Sequence, residues 1–131
     1  HPKIITKEEA ENSDLLRNFI KRLKKDKFIV DSFTSPDVPT KYMGVCKLDG
    51  DELRRIDIRY MPQESYYTAI MYFTGSREFN TRLRNIAKSM DYKLNEYALI
   101  NNKNNKRFEI KGEKDIFDKL GLEYVQPKDR Y

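Results

Sequence analysis

The apolar positions change their period several times along the chain, and each change marks an element. Between Ser13 and Lys25 the residues Leu15, Leu16, Phe19, Ile20 and Leu23 recur at the spacing of one helical face. Ser13 stands where an N-cap would, with Asp14 in the first turn, where the helix dipole favours it. Arg17, Lys21, Lys24 and Lys25 fall on the other side and read as a solvated basic face. The β-branched and aromatic runs Phe28 to Thr34 and Tyr42 to Leu48 predict strands, separated by the rigid loop Ser35-Pro36-Asp37-Val38-Pro39. Asp49-Gly50-Asp51 is a turn signal that returns the chain into a third strand, Leu53 to Met61. The first half therefore predicts one helix and three antiparallel strands, closed by Pro62.

The second half reads differently. From Glu64 to Phe73 apolar residues occur nearly all round, so the element is expected to be buried on several sides, and its period does not decide between helix and strand. Gly75 breaks it. From Ser76 to Met90 the stripe Phe79, Leu83, Ile86 and Met90 predicts a helix, with Arg77, Asn80, Arg84 and Lys88 on a separate stripe. Short strands are expected at Tyr92 to Leu94, Tyr97 to Ile100 and Arg107 to Ile110, with Asn101 to Asn105 as a polar, mobile tip. Glu113 to Leu120 predicts a short helix stopped by Gly121. The fold class is α+β: an antiparallel sheet with one helix over residues 1–62, then a small subdomain of two or three helices and a short sheet over 63–131.

Composition narrows the chemistry. A chain of 131 residues is about one domain by length, and 38% hydrophobic content supports a modest core. No apolar run approaches membrane-spanning length and nothing resembles a secretory signal, so no membrane partner is expected. One cysteine and one histidine provide neither an internal disulfide nor a zinc site. Cys46 lies in an apolar run and reads as a buried, inert thiol, which suits an intracellular protein. The net charge of +5 suits a polyanionic partner. The chain opens on His1-Pro2 without an initiator methionine, which suggests a fragment.

Arg54-Arg55-Ile56-Asp57-Ile58-Arg59 is the segment richest in chemistry. Alternation along a strand puts Ile56, Ile58 and Tyr60 on one face and Arg55, Asp57 and Arg59 on the other. By itself the polar face is first of all a solvated ion-pair ladder. It also suits a metal ion on Asp57 with phosphates on the arginines. The Asn80 and Arg84 stripe has the same two readings: an exposed polar face, or a reader of base edges and phosphates.

Together these residues carry a resemblance. RRIDIR (54–59), YFTGS (72–76), NEY (95–97), EKDIF (113–117) and PKDR (127–130), with YMGVC (42–46) before them, resemble the family X DNA polymerases of the DNA polymerase beta type. The likeness covers essentially the whole chain, in order and with similar spacing. It implies the end of the palm subdomain followed by the nucleotide-selecting subdomain, called the thumb, or the fingers by hand analogy.

The implied activity is template-directed nucleotidyl transfer that fills gaps in base excision repair, with magnesium or alternatively manganese. The implied partners are gapped or primer-template DNA, a deoxynucleoside triphosphate and the remainder of the polymerase. Asp57 matches the third metal-holding aspartate and a candidate general base. Arg55 matches a position near the primer-terminal phosphate. Arg59 matches a switch residue that turns towards the counterparts of Glu96 and Tyr97 on closure. Tyr72 and Phe73 match the sugar-selecting turn, and Gly75 precedes an unusual cis bond in the family. Asn80 and Arg84 match contacts to the minor-groove edges of the incoming and template bases.

Two departures stand out. Arg77 occupies a place beside the incoming base where a small or acidic residue is usual, implying tighter nucleotide binding and lower fidelity. The family's Gly-Ser helix start and Asp-x-Asp strand are not found in these residues, so the chain alone is expected to be inactive. A non-catalytic paralogue that binds DNA or a partner, and a basic α+β interaction module, are the competing readings. The nucleus is the compartment implied for a eukaryotic source, with mitochondrial or viral origin as alternatives.

Overall fold

The computed structural model describes residues 3–35 and 38–131 and divides into two compact units, one ending at Pro62 and the other beginning at Gln63. Pro36 and Asp37, part of the loop expected between the first two strands, lie outside the described residues.

The first unit comprises α1 (Lys7–Glu11), α2 (Leu15–Lys25), β1 (Ile29–Ser32), β2 (Lys41–Lys47) and β3 (Leu53–Arg59). The strands form one antiparallel sheet in the order β1-β2-β3. Tyr42 pairs with Ile58 and Met43 with Asp57, which fixes which side chains share a face. Leu16 and Ile20 of α2 pack with Ile29 and Tyr42, and Ile56, Ile58 and Tyr60 close against them. Gly44 is required by space: a Cβ there would lie 2.7 Å from the Asp31 carbonyl oxygen and collide with the Tyr42 hydroxyl.

Two local features differ from expectation. Asp14, not Ser13, is the N-cap residue of α2, and Asp14 Oδ1 takes Arg17 at 2.7 Å instead of capping an amide. Ser13 Oγ accepts from the Leu15 amide one position earlier than a cap would. Helix α1 left no apolar stripe to read, because Ala10 is its only buried residue. Its signal is polar: Thr6 Oγ1 accepts from the Glu9 amide, and Glu9 Oε2 accepts from the Ile5 amide.

The second unit comprises α3 (Tyr66–Thr74), α4 (Arg77–Ser89), β4 (Tyr92–Leu94), β5 (Leu99–Asn101), β6 (Lys106–Arg107) and α5 (Glu113–Lys119). Its core is Met71, Phe79, Leu83, Ala87, Leu99, Ile116, Phe117 and Leu120. The undecided segment is helical, and it is not enclosed on every side. Thr68, Ala69 and Met71 are buried, whereas Tyr66, Ile70 and Phe73, spaced along one helical face, are exposed. The last strand stops at Arg107, short of the expected Ile110. Phe108 still donates to the Leu99 carbonyl at 2.8 Å, but Phe108 and Ile110 then pack on the core. The asparagine tip begins at Asn102, since Asn101 pairs with Lys106 and Tyr92 in the ladder. Gly121, at φ +69°, ends α5 as read from the sequence. Among the described residues no helix is long and apolar enough to cross a membrane.

Candidate functional site

Each unit carries one group of the residues singled out above. In the first, the pleat of β3 turns Ile56 and Ile58 into the core, leaving Arg55, Asp57 and Arg59 on the face away from α2. Arg55 Nε donates to Asp57 Oδ1 at 2.9 Å, with the two side chains 56% and 53% exposed. The Arg55 guanidinium also lies over the Phe33 ring, 5.2 Å from its centroid. An ion pair this exposed is worth about 0–1 kcal/mol, so an external cation or phosphate can exchange for either partner. Arg59 is half-buried at the end of the strand.

Asp57 supplies a single carboxylate. Among the described residues no three His, Cys, Asp or Glu side chains cluster as metal ligands. Hard divalent ions take six or more oxygen ligands. The described residues therefore do not make up a metal centre, and Asp57 fits only as one ligand of a larger set. Cys46 is buried, as read from the sequence.

In the second unit the site is built around the junction of α3 and α4. Gly75 caps α3 at φ +72°, a conformation that L side chains rarely adopt. The Gly75–Ser76 peptide is cis. Ser76 then caps α4, its Oγ accepting from the Phe79 amide at 3.2 Å. This junction brings the aromatic turn against the polar stripe. Asn80 Nδ2 donates to the Tyr72 carbonyl at 2.8 Å, and the Arg84 guanidinium lies 5.1 Å from the Tyr72 ring centroid. Tyr72 and Phe73 meet edge to face at 4.9 Å. A cleft of about 610 Å3 opens here, lined by Tyr72, Phe73, Gly75, Arg77, Asn80 and Arg84 among others. Its volume falls in the range of small-molecule sites. Two guanidinium groups, an amide and aromatic rings give it the means to hold a phosphate and a planar base.

Glu96 and Tyr97 are not among the lining residues of this cleft. They form the tight turn between β4 and β5, where Asn95 Oδ1 accepts from the amides of Tyr97 and Ala98 at 2.8 and 2.9 Å. Arg107 holds the turn from behind, donating to the Tyr97 carbonyl at 3.0 Å and pairing with Glu64 at 2.9 Å.

Sequence reasoning assigned no role to Arg107, Glu113 or Arg130. Arg130 is 3% exposed; its Nη1 meets Glu113 Oε1 at 2.8 Å, and its guanidinium is among the rings of Phe79, Phe117 and Tyr124. The carbonyl of the same residue accepts from the Ser76 amide. An arginine in Pro-Lys-Asp-Arg carries no periodicity that would reveal burial. Its only signal was membership of a recognised motif.

Comparison with known proteins covers both units. A family model described as DNA polymerase beta palm matches residues 2–63, and one described as DNA polymerase beta thumb matches residues 69–131. The chain is 34% identical to DNA polymerase lambda of Rattus norvegicus over 123 residues, which are 82% of the chain and 22% of that protein. It is 31% identical to DNA polymerase lambda of Arabidopsis thaliana over 135 residues, 88% of the chain and 25% of that protein. It is also 31% identical over 90 residues to DNA polymerase IV of Saccharomyces cerevisiae, 69% of the chain and 15% of that protein. The chain thus spans a quarter or less of the length of these relatives.

Proposed function

This chain belongs to the family X DNA polymerases, and from that premise we propose that it is the C-terminal part of a template-directed DNA polymerase that fills short gaps during base excision repair. The first unit is assigned as the end of the palm and the second as the nucleotide-selecting subdomain. The observation that carries the reading is the grip of Asn80 and Arg84 on Tyr72 beside a cleft that also holds Arg77.

In this reading the cleft receives a deoxynucleoside triphosphate. The Tyr72–Phe73 turn crowds the position of a ribose 2′-hydroxyl and so selects deoxyribose. Asn80 and Arg84 test base-pair geometry from the minor groove, where acceptors occupy nearly the same place in every correct pair. Arg77 stacks on the incoming base or approaches its phosphates. Asp57 provides one carboxylate towards magnesium, which manganese can replace, and further ligands come from residues outside these 131. Such ions lower the charge barrier to nucleotidyl transfer. Arg55 lies with the primer phosphate, and Arg59 exchanges partners with Glu96 and Tyr97 on closure. Because Asp57 is a single ligand, the isolated chain binds but does not polymerise. The expected compartment in a eukaryotic cell is the nucleus.

The test is gap filling by the whole enzyme with deoxy- and ribonucleoside triphosphates. Template-directed incorporation that favours the deoxy form supports the assignment. Equal use of both sugars removes the role given to Tyr72 and Phe73. A whole protein that binds gapped DNA without extending it leaves only the binding-module reading.

A further inference from the structure

A second cleft, on the first unit, takes no part in this reading. Its volume is about 340 Å3; α2 contributes Arg17, Lys21 and Lys24 to it, and the strand side contributes Ser32, Thr34 and Lys41. Leu16, Ile20 and Tyr42 also line it, and all three are buried. They are the residues through which α2 packs on the sheet, so the cleft opens on the α2 side. Asp57 is on the opposite face of the same sheet.

Among the described residues, Lys21, Lys24 and Lys41 make no ion pair, while Arg17 is held by Asp14. Like charges three and four residues apart on a helix repel. The C-terminal dipole of α2 favours Lys24 and Lys25, but does nothing for Lys21 in mid-helix or for Lys41 on another element. A cost shared by cations from two elements around one concavity is relieved by an anion in it. The hydroxyls fit as well. Tyr42 donates to the Asp31 carbonyl at 3.2 Å and meets Ser32 Oγ at 2.6 Å, so both are occupied. Thr34 Oγ1 accepts from the Met43 amide at 3.2 Å, which leaves its proton to donate to a bound oxygen.

We propose that this cleft binds phosphate, as a second site separate from the Asp57 face, and that its phosphates are those of a DNA backbone running past α2. Lys and Arg converge in a cleft whose one aromatic ring, Tyr42, is buried in the core, and this suits backbone phosphates, which carry no sequence information, better than bases. The phosphate chemistry follows from the cleft itself. The choice of DNA as its source rests on the polymerase assignment above.

The experiment is amide NMR of the isotope-labelled full chain, titrated separately with sodium tripolyphosphate and with a short blunt DNA duplex at low salt. Both probes are expected to shift amides of α2 and of the β1–β2 region, and the duplex is expected to displace tripolyphosphate. Lys21→Gln with Lys24→Gln should weaken both by about tenfold or more and lower the salt slope for the duplex by about two. The charge-matched pair Lys103→Gln with Lys106→Gln, on the β5–β6 hairpin, should leave the α2 shifts within about twofold, since both residues belong to the second unit and neither lines the cleft. Tripolyphosphate in the cleft with the duplex bound elsewhere keeps the site and overturns its DNA source. Absence of α2 shifts with either probe, or equal weakening by the control pair, overturns the site. Equal binding of an oligoglutamate peptide overturns the assignment to phosphate. Failure of gap filling in the whole enzyme would leave the tripolyphosphate result standing, so the two readings fail separately.

Discussion

The Ser76 amide donates to the Arg130 carbonyl at 2.9 Å, so the segment after α5 holds the turn that frames the cleft of the second unit. The side chain of Arg130 continues the connection inward, to Glu113 on α5 and to the carbonyl of Val125. One residue thus joins the α3–α4 junction, α5 and the final turn.

Removing that side chain is expected to be costly. The Arg130 side chain is fully buried and Glu113 partly so, and deleting one partner of a buried pair typically costs about 3–5 kcal/mol. Arg130→Ala should therefore lower the stability of the second unit by about that much in urea unfolding. Arg130→Lys should recover little, because an ammonium cannot reproduce the planar fork among Phe79, Phe117 and Tyr124. A loss below about 1 kcal/mol would show the pair to be incidental.

Gly44 makes a sharper steric case. Adding a methyl group there drives it into the Asp31 carbonyl and the Tyr42 hydroxyl, and overpacking of this kind costs about 1–3 kcal/mol. Gly44→Ala should lower the melting temperature of the first unit. Combining it with Tyr42→Phe should cost less than the sum of the two single changes, because both act on the same contact. Strict additivity in a double-mutant cycle would contradict this geometry.

These two residues show where reading the sequence succeeds and where it stops. The apolar periods of α2 and α4 and the alternation of β3 were visible because burial there follows a local repeat. So was the partition of Arg55, Asp57 and Arg59 from Ile56 and Ile58. Segment 64–73 was not, because α3 exposes Tyr66, Ile70 and Phe73 and so mixes apolar residues into both faces. Asn80 and Arg84 were legible as a stripe, but their common target, Tyr72, became visible only when the α3–α4 junction brought the end of α3 against the polar stripe of α4. Arg130 and Arg107 act through contacts at 17 and 43 residues' separation, to Glu113 and to the Glu64 carbonyl. No local pattern encodes such contacts.

Asn80 should act on nucleotide binding more than on chemistry. Asn80→Ala removes the donor to the Tyr72 carbonyl and frees the aromatic turn. In the whole enzyme we expect KM for the correct deoxynucleotide to rise about tenfold, as for one lost hydrogen bond to a polar partner, with a smaller change in kcat. Discrimination against mispairs should fall in the same single-turnover assay. An unchanged KM would separate the Asn80–Tyr72 contact from nucleotide selection.

Arg77 lines the cleft and is exposed, which limits what it contributes. A cation stacked at an exposed site is worth about 0.5–1 kcal/mol, so Arg77→Ala should weaken nucleotide affinity by about two- to fivefold. Fidelity should improve if a cation stacked at this place holds any incoming base alike. Equilibrium binding of a non-hydrolysable nucleotide to the DNA-bound enzyme measures the first effect, and no loss of affinity there removes Arg77 from the site.

Asp57 offers the cleanest separation of folding from function. Its pair with Arg55 is half exposed, so losing it changes stability by about 1 kcal/mol or less. Asp57→Ala and the isosteric Asp57→Asn should therefore unfold with nearly the parental midpoint. Affinity for gapped DNA should be unchanged or slightly higher, because one negative charge leaves a face that also carries Arg55 and Arg59. Incorporation by the whole enzyme should nonetheless fall by about a thousandfold or more, the scale of losing one preorganised charge at a reacting centre. The three measurements belong together: stable, DNA-bound and inactive variants assign Asp57 to the reaction itself. Primer extension at near-parental rate in either variant would return the Arg55–Asp57 pair to the status of a surface ion pair.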